Sequence, residues 1–208
     1  MADALLVALA LVTAYLLGSI PSAYIIGRTK RGMDIREVGS RNMGAMNVFY
    51  VVGFWPGALV LVMDVAKGAA AVAVADALTA GELVQFLAAG AAVLGHGFPL
   101  FLGFRGGKGG AATLGVFFYM MPWGIPICVG VFGLTLLISR YPTFSYSLSL
   151  ACFPFVGWLI YERWALAVFS VALIALLLIR YMPRLREMRS KARDWGHVFR
   201  RSSLEDRL

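Results

Sequence analysis

The sequence predicts an all-α integral membrane protein: a seven-transmembrane-helix bundle with cytoplasmic glycine-rich loops and a C-terminal amphipathic helix. Hydrophobic residues fill 60% of 208 positions and charged ones 14%, and mean hydropathy is +0.78, far from a soluble domain. The apolar residues fall into runs of spanning or near-spanning length, divided by short polar links. Seventeen of the nineteen Lys and Arg residues lie in alternate links or in the tail, the bias that orients membrane helices.

The runs are Leu5 to Ile26, Phe54 to Ala75, Leu83 to Leu102, Ala111 to Trp123, Ile125 to Ile138, Phe144 to Ile160 and Trp164 to Ile179. Only Asp3 and no cation precedes the first run, which reads as a retained helix and not a cleaved signal. The fourth and fifth are short, and Met121-Pro122-Trp123-Gly124-Ile125-Pro126 between them fits a tight turn or a kink within one helix. Charge favours the turn. Arg28, Lys30, Arg31, Arg36 and Arg41, then Arg105 and Lys108, then Arg140, then nine cations from Arg180 onward share one side only if the two runs are separate helices. Asp3, Asp76, Glu82, Glu162 and Arg163 take the other side, which places the N-terminus outside and the C-terminus in the cytoplasm. Topology and anionic headgroups account for the net charge of +8, so the expected partner surface is a lipid bilayer and not nucleic acid.

Residues 1–182 form the predicted membrane domain and 183–208 a basic amphipathic tail. In the tail Leu185, Met188, Ala192, Trp195 and Phe199 recur at helical steps after Pro183, fitting a helix laid on the cytoplasmic leaflet or against a partner protein. Cys128 and Cys152 lie in apolar runs without CxxC spacing and read as small buried hydrophobes. No His, Cys, Asp or Glu grouping has metal-ligand spacing, so neither metal nor cofactor is predicted.

Between the third and fourth runs lies Gly103-Phe104-Arg105-Gly106-Gly107-Lys108-Gly109-Gly110, a loop dense in backbone N–H groups beside two cations, the chemistry of an oxyanion site. Asp34 to Asn47 repeats the theme. Ser40, Asn42 and Asn47 offer neutral hydrogen bonds, Arg41 a bidentate grip, and Gly39 and Gly44 close backbone approach. Within the second run Asp64 and Lys67 share a helix face, as a structural ion pair or with Lys67 reaching a substrate. His96 ends the third run, where it is either a structural histidine or a general base. Gly53 and Gly57, four apart, suit helix packing.

Three stretches together resemble the bacterial acyl-phosphate-dependent glycerol-3-phosphate acyltransferases: Gly18-Ser19-Ile20-Pro21-Ser22-Ala23-Tyr24, Asp34-Ile35-Arg36 through Asn47-Val48, and Gly95-His96-Gly97-Phe98-Pro99 through Gly109. The resemblance implies a multi-pass enzyme of the bacterial cell membrane that passes a fatty acyl group from an acyl phosphate to glycerol 3-phosphate, beginning phospholipid synthesis. It also implies that Ser40, Asn42, Asn47, His96, Gly106, Gly107, Lys108 and Gly109 lie at or near the active site.

Read as chemistry, the N–H groups of Gly106 to Gly110 with Lys108 and Arg105 would hold the donor phosphate. His96 would serve as base or only orient the phosphate, and Ser40, Asn42, Asn47 and Arg41 would bind the acceptor, with Lys67 a further candidate. The chain departs from the family pattern at Arg41 (glycine), Met46 (threonine) and Tyr50 (arginine), and lacks a His-Arg-x-Asn-Ile motif around Arg180 to Arg186. These departures leave open an enzyme acylating another phosphorylated alcohol, or a non-catalytic protein that binds or transports a phosphate ligand.

Overall fold

The computed structural model describes residues 2–79, 81–140 and 142–192, and all regular structure in them is helical. The first apolar run is two helices, α1 (Ala2–Ser19) and α2 (Ser22–Arg31), not one. Pro21 causes the break, because proline carries no N–H and its ring crowds the preceding turn. Gly32 closes α2 in the left-handed conformation at φ +66°, and Arg28, Lys30 and Arg31 sit in its last turn, at the negative end of the helix dipole.

A short helix, α3 (Ala45–Val51), leads into α4 (Phe54–Leu78). α5 (Glu82–Gly97) stops earlier than its apolar run, where Phe98-Pro99 diverts the chain into a 3₁₀ turn over Leu100–Leu102. α6 (Gly110–Met120) and α7 (Gly124–Ser139) are separate helices joined by a turn. The sixth run also divides, into α8 (Pro142–Leu150) and α9 (Phe153–Leu159), with Pro154 in the first turn of α9. α10 (Trp164–Ala192) continues through Pro183. Of the tail's apolar stripe, Trp195 and Phe199 lie outside the described residues, as does His197.

Four segments are long and apolar enough to cross a membrane: Asp3–Arg31, Phe54–Leu78, Glu82–Leu102 and Trp164–Pro183. α6 and α7 are shorter apolar helices. Glycine sets the closest crossings. A Cβ on Gly18 or Gly95 would strike the backbone of Ala92 or Tyr15, and one on Gly68 or Gly115 that of Ala112 or Val65. α1 therefore lies directly on α5, over Ala10, Ala14, Ala88 and Ala92, and α4 on α6. Small residues suit this because apolar burial drives little association between helices in lipid, whereas backbone proximity gives dispersion and polar contacts.

A second core stacks Phe117 on Phe153 with ring centres 4.0 Å apart and Phe86 on Phe169 at 4.4 Å. A third, built from Ile35, Met43, Val48 and Val60, lies under the loop after α2. Polarity is inverted at the outer surface. Leu137 and Ile138 on α7 leave 78% and 77% of their surface uncovered, a face for hydrocarbon and not for water. The fold is that of an all-helical integral membrane protein.

Candidate active site

The glycine-rich loop folds back onto the end of α5. The N–H of Gly106 donates to the carbonyl of Gly97 at 3.2 Å and that of Gly107 to the carbonyl of His96 at 3.0 Å. A Cβ on Gly106 would meet the His96 carbonyl and Pro99, and one on Gly107 the His96 Nε2 and the Met43 carbonyl. Only glycine allows the chain to lie this close to an imidazole. Gly109, at φ +95°, then turns the chain into α6. The N–H groups of Gly106 and Gly107, expected to face an anion, are thus occupied by α5. Those of Gly109 to Ala112, at the amino end of α6, come before the first intrahelical bond, which the Thr113 N–H donates to the Gly109 carbonyl at 2.9 Å.

Two residues in the middle of α10 hold this loop, and sequence reasoning passed over both as topological charge and motif loss. Arg180 Nη2 donates to the carbonyl of Gly97 at 2.7 Å and to that of Gly107 at 2.9 Å, while its guanidinium stacks on Phe98, 4.0 Å from the ring centre. Tyr181 places its ring 3.7 Å from Lys108 Nζ, a cation–π distance. From α8 the Tyr146 hydroxyl donates to the Gly110 carbonyl at 2.7 Å. No local spacing signals these partners, which come from 36 to 83 residues away.

Beneath the loop lies a buried polar group. Lys67 Nζ is 2.8 Å from Asp64 Oδ1 and donates to the Ile20 carbonyl, exposed by the break before α2, at 2.8 Å. His96 Nδ1 faces the same Asp64 oxygen at 3.7 Å. All three side chains are nearly inaccessible.

The loop after α2 is braced from within. Asn47, fully buried, accepts the Ser40 N–H at 2.9 Å and donates to the carbonyls of Ile35 at 2.8 Å and Val38 at 3.0 Å. The amide expected to reach an acceptor is therefore turned inward, where it closes the loop. Asp34 and Arg36 form a bidentate pair, with Nε–Oδ1 at 3.0 Å and Nη2–Oδ2 at 2.7 Å, and Arg36 Nη1 donates to the Leu102 carbonyl at 3.2 Å. The guanidinium holds the Asp34 carboxyl below the usual carboxylate range, and the carboxylate raises Arg36 in turn.

The two glycine-rich loops meet where Gly107 abuts the Met43 carbonyl. Beside this junction, Asp34, Arg36, Glu37, Arg41, Arg105 and Gly106 line an open cavity of about 220 Å³. Of the residues picked out in the sequence, Lys67, His96, Gly106 and Gly107 gather at one point, with Lys108, Gly109 and Gly110 continuing the loop. Arg41 and Arg105 gather at the cavity. Ser40 and Asn42 stay in the first loop, half-buried.

A helical membrane bundle whose polar loops converge on a buried histidine and a glycine-basic turn defines a membrane enzyme built to handle an anionic substrate. The sequence model described as glycerol-3-phosphate acyltransferase matches residues 8–191. Glycerol-3-phosphate acyltransferase 2 of Dehalococcoides mccartyi is 46% identical over 207 residues, covering 98% of both chains. Glycerol-3-phosphate acyltransferase of Endomicrobium trichonymphae is 34% identical over 191 residues, 92% of this chain and 96% of its own. Among solved structures, PlsY (YgiH), an integral membrane glycerol 3-phosphate acyltransferase, superposes in its glycerol 3-phosphate form with a TM-score of 0.80 at 30% identity. Its lysophosphatidic acid form gives 0.77 at 27%, each alignment covering 89% of this chain and 92% of that one. The chain belongs to the glycerol-3-phosphate acyltransferase family.

Proposed function

We propose that this acyltransferase takes a fatty acyl group from an acyl phosphate and transfers it to glycerol 3-phosphate, releasing inorganic phosphate and 1-acyl-glycerol 3-phosphate for phospholipid synthesis. The observation that carries the reading is the seat of Gly107 on the His96 imidazole, next to Lys108 and the amino end of α6. A mixed anhydride already has a good leaving group, so the protein must supply position and charge control. Lys108 and the amides from Gly109 onward hold the donor phosphate. The acceptor hydroxyl oxygen bonds to the acyl carbon, the bond from that carbon to the phosphate oxygen breaks, and the hydroxyl proton passes to His96 Nε2. Asp64 stands 3.7 Å from Nδ1, beyond hydrogen-bond reach, and places a negative charge beside the ring. Ser40 and Asn42 bind acceptor hydroxyls, and Asn47 shapes their loop.

The charge distribution supports a seven-passage arrangement in a bacterial cell membrane: α1 with α2, α4, α5, α6, α7, α8 with α9, and α10. The N-terminus lies outside, the C-terminus lies in the cytoplasm, and the basic segment from 183 onward lies on anionic headgroups. The test is turnover of an acyl phosphate by the purified protein with glycerol 3-phosphate, followed by mass spectrometry of the lipid product. Full turnover by Lys108→Ala would overturn the donor site, and absence of product with wild type would overturn the reaction.

A further inference from the structure

One face of α10 lies against the glycine-basic loop. Leu177, Arg180 and Tyr181 stand at helical spacing, which brings their side chains to the same side. A Cβ on Gly109 would stand 3.3 Å from Leu177 Cδ2, Arg180 Nη2 donates to the Gly107 carbonyl, and the Tyr181 ring centre is 3.7 Å from Lys108 Nζ. From α8, Tyr146 donates to the Gly110 carbonyl. The backbone before and after Lys108 is therefore tied to neighbouring helices, and the ammonium between these ties meets an aromatic face. The contact stands where the chain lacks the His-Arg-x-Asn-Ile motif of its family, so α10 reaches the loop through side chains of its own.

We infer that Tyr181 is a positioning residue for the acyl donor: its ring fixes the Lys108 ammonium where it meets the donor phosphate, and it acts through Lys108 and not on the substrate. This inference rests on the reading above in which Lys108 holds the phosphate of the acyl phosphate. Lysine carries its charge on a long flexible stem and loses much rotamer freedom when ordered. Gly107 and Gly109 have no side chains to steady it. An aromatic face attracts the ammonium through its quadrupole and leaves the N–H donors turned away from the ring free to meet an oxyanion. A carboxylate in the same place would also attract the ammonium, but would repel an incoming phosphate; a neutral ring does not. Ordering Lys108 in the folded protein removes that ordering from the binding step, so the effect falls on donor affinity.

Calorimetric binding of a ketophosphonate analogue of the donor, with a methylene in place of the bridging oxygen, tests the contact apart from turnover on the full chain in detergent. Tyr181→Phe keeps the ring face and should bind within about twofold of wild type, whereas Tyr181→Leu should bind about five- to thirtyfold more weakly. Mono-, di- and trifluorophenylalanine introduced at position 181 keep the shape of the ring and drain negative charge from its face. Affinity should fall stepwise along that series, a trend that packing alone would not produce. The series also keeps the inference testable if Tyr181→Leu fails to fold. In steady-state assays the KM for acyl phosphate should rise in parallel, with the KM for glycerol 3-phosphate within about twofold of wild type. A flat fluorine series would overturn the inference. So would tighter binding by Tyr181→Leu, which would mean that the ring holds Lys108 away from the phosphate, or a loss confined to glycerol 3-phosphate. Absence of turnover in wild type, with analogue affinity still following the fluorine series, would sink the reaction proposed above and leave the role of Tyr181 toward Lys108 standing.

Discussion

Arg180, midway along the last long helix, donates from one nitrogen to the carbonyl of Gly107 at 2.9 Å and to that of Gly97 at 2.7 Å. The same contact ties α10 to both sides of the loop seated on His96. Charge-assisted hydrogen bonds of this type contribute about 1.5–3 kcal/mol. Arg180→Ala should lower kcat about 10- to 100-fold through a loosened loop. Arg180→Lys should recover only part, because an ammonium does not stack on Phe98 as the planar guanidinium does. Steady-state kinetics beside thermal unfolding checks this. A purely structural role would lower the unfolding temperature and leave kcat of the surviving enzyme unchanged.

Gly107→Ala should abolish turnover, since the new methyl meets the His96 ring and the Met43 carbonyl, neither of which is the loose end of a flexible chain. Gly90→Ala is the control. It lies mid-helix in α5 with nothing within 4 Å of the added Cβ, so activity should be retained and stability rise by about 0.5–1 kcal/mol. Activity assays on both variants, expressed and purified together, decide it.

These contrasts mark what the chain reveals before folding. The apolar runs and the glycine-basic loop were legible because each rests on local chemistry: hydropathy over a span, or glycines and cations in a few residues. The partners Arg180, Tyr181 and Tyr146 were not legible, because they act through side chains that arrive from other helices and their spacing repeats nothing. Asn47 was read as a ligand-facing amide for the same reason, as residue type alone does not say whether an amide points out of its loop or into it. The breaks at Pro21 and Pro154 had a visible cause, yet hydropathy counts straight across a proline.

Asn47→Ala should destabilise the protein by about 2–4 kcal/mol, because it removes three hydrogen bonds and leaves the carbonyls of Ile35 and Val38 without their donor in a buried loop. Asn47→Asp should be no milder, as an oxygen would then face those carbonyls. Denaturant titration of each variant in detergent measures the loss. A change in substrate affinity without loss of stability would return Asn47 to the ligand-binding group.

The Asp34 carboxyl is held below its usual 3.8 by Arg36, so its contribution to stability is present above that value and is lost as pH falls through the lower folded-state value. The stability gap between wild type and Asp34→Asn should therefore be constant from neutral pH down to about 4 and close below it. Thermal unfolding of both proteins across this range gives the answer. A gap that closes between pH 6 and 8 would mean that some other group governs the anchor between Arg36 and Leu102.

Asp64 and Lys67 are buried and 2.8 Å apart, and the sequence left Lys67 open to two roles. If the pair is structural, removing one partner strands the other charge, at a cost of about 3–5 kcal/mol, whereas removing both together is far less damaging. Asp64→Asn and Lys67→Met should each destabilise strongly, and the double variant should be closer to wild type than either. Turnover in the double variant then separates stability from chemistry. Retained turnover confines Lys67 to its contact with Asp64 and the Ile20 carbonyl. A stable but inactive double variant assigns the network to His96, whose Nδ1 would have lost the negative charge of Asp64 beside it.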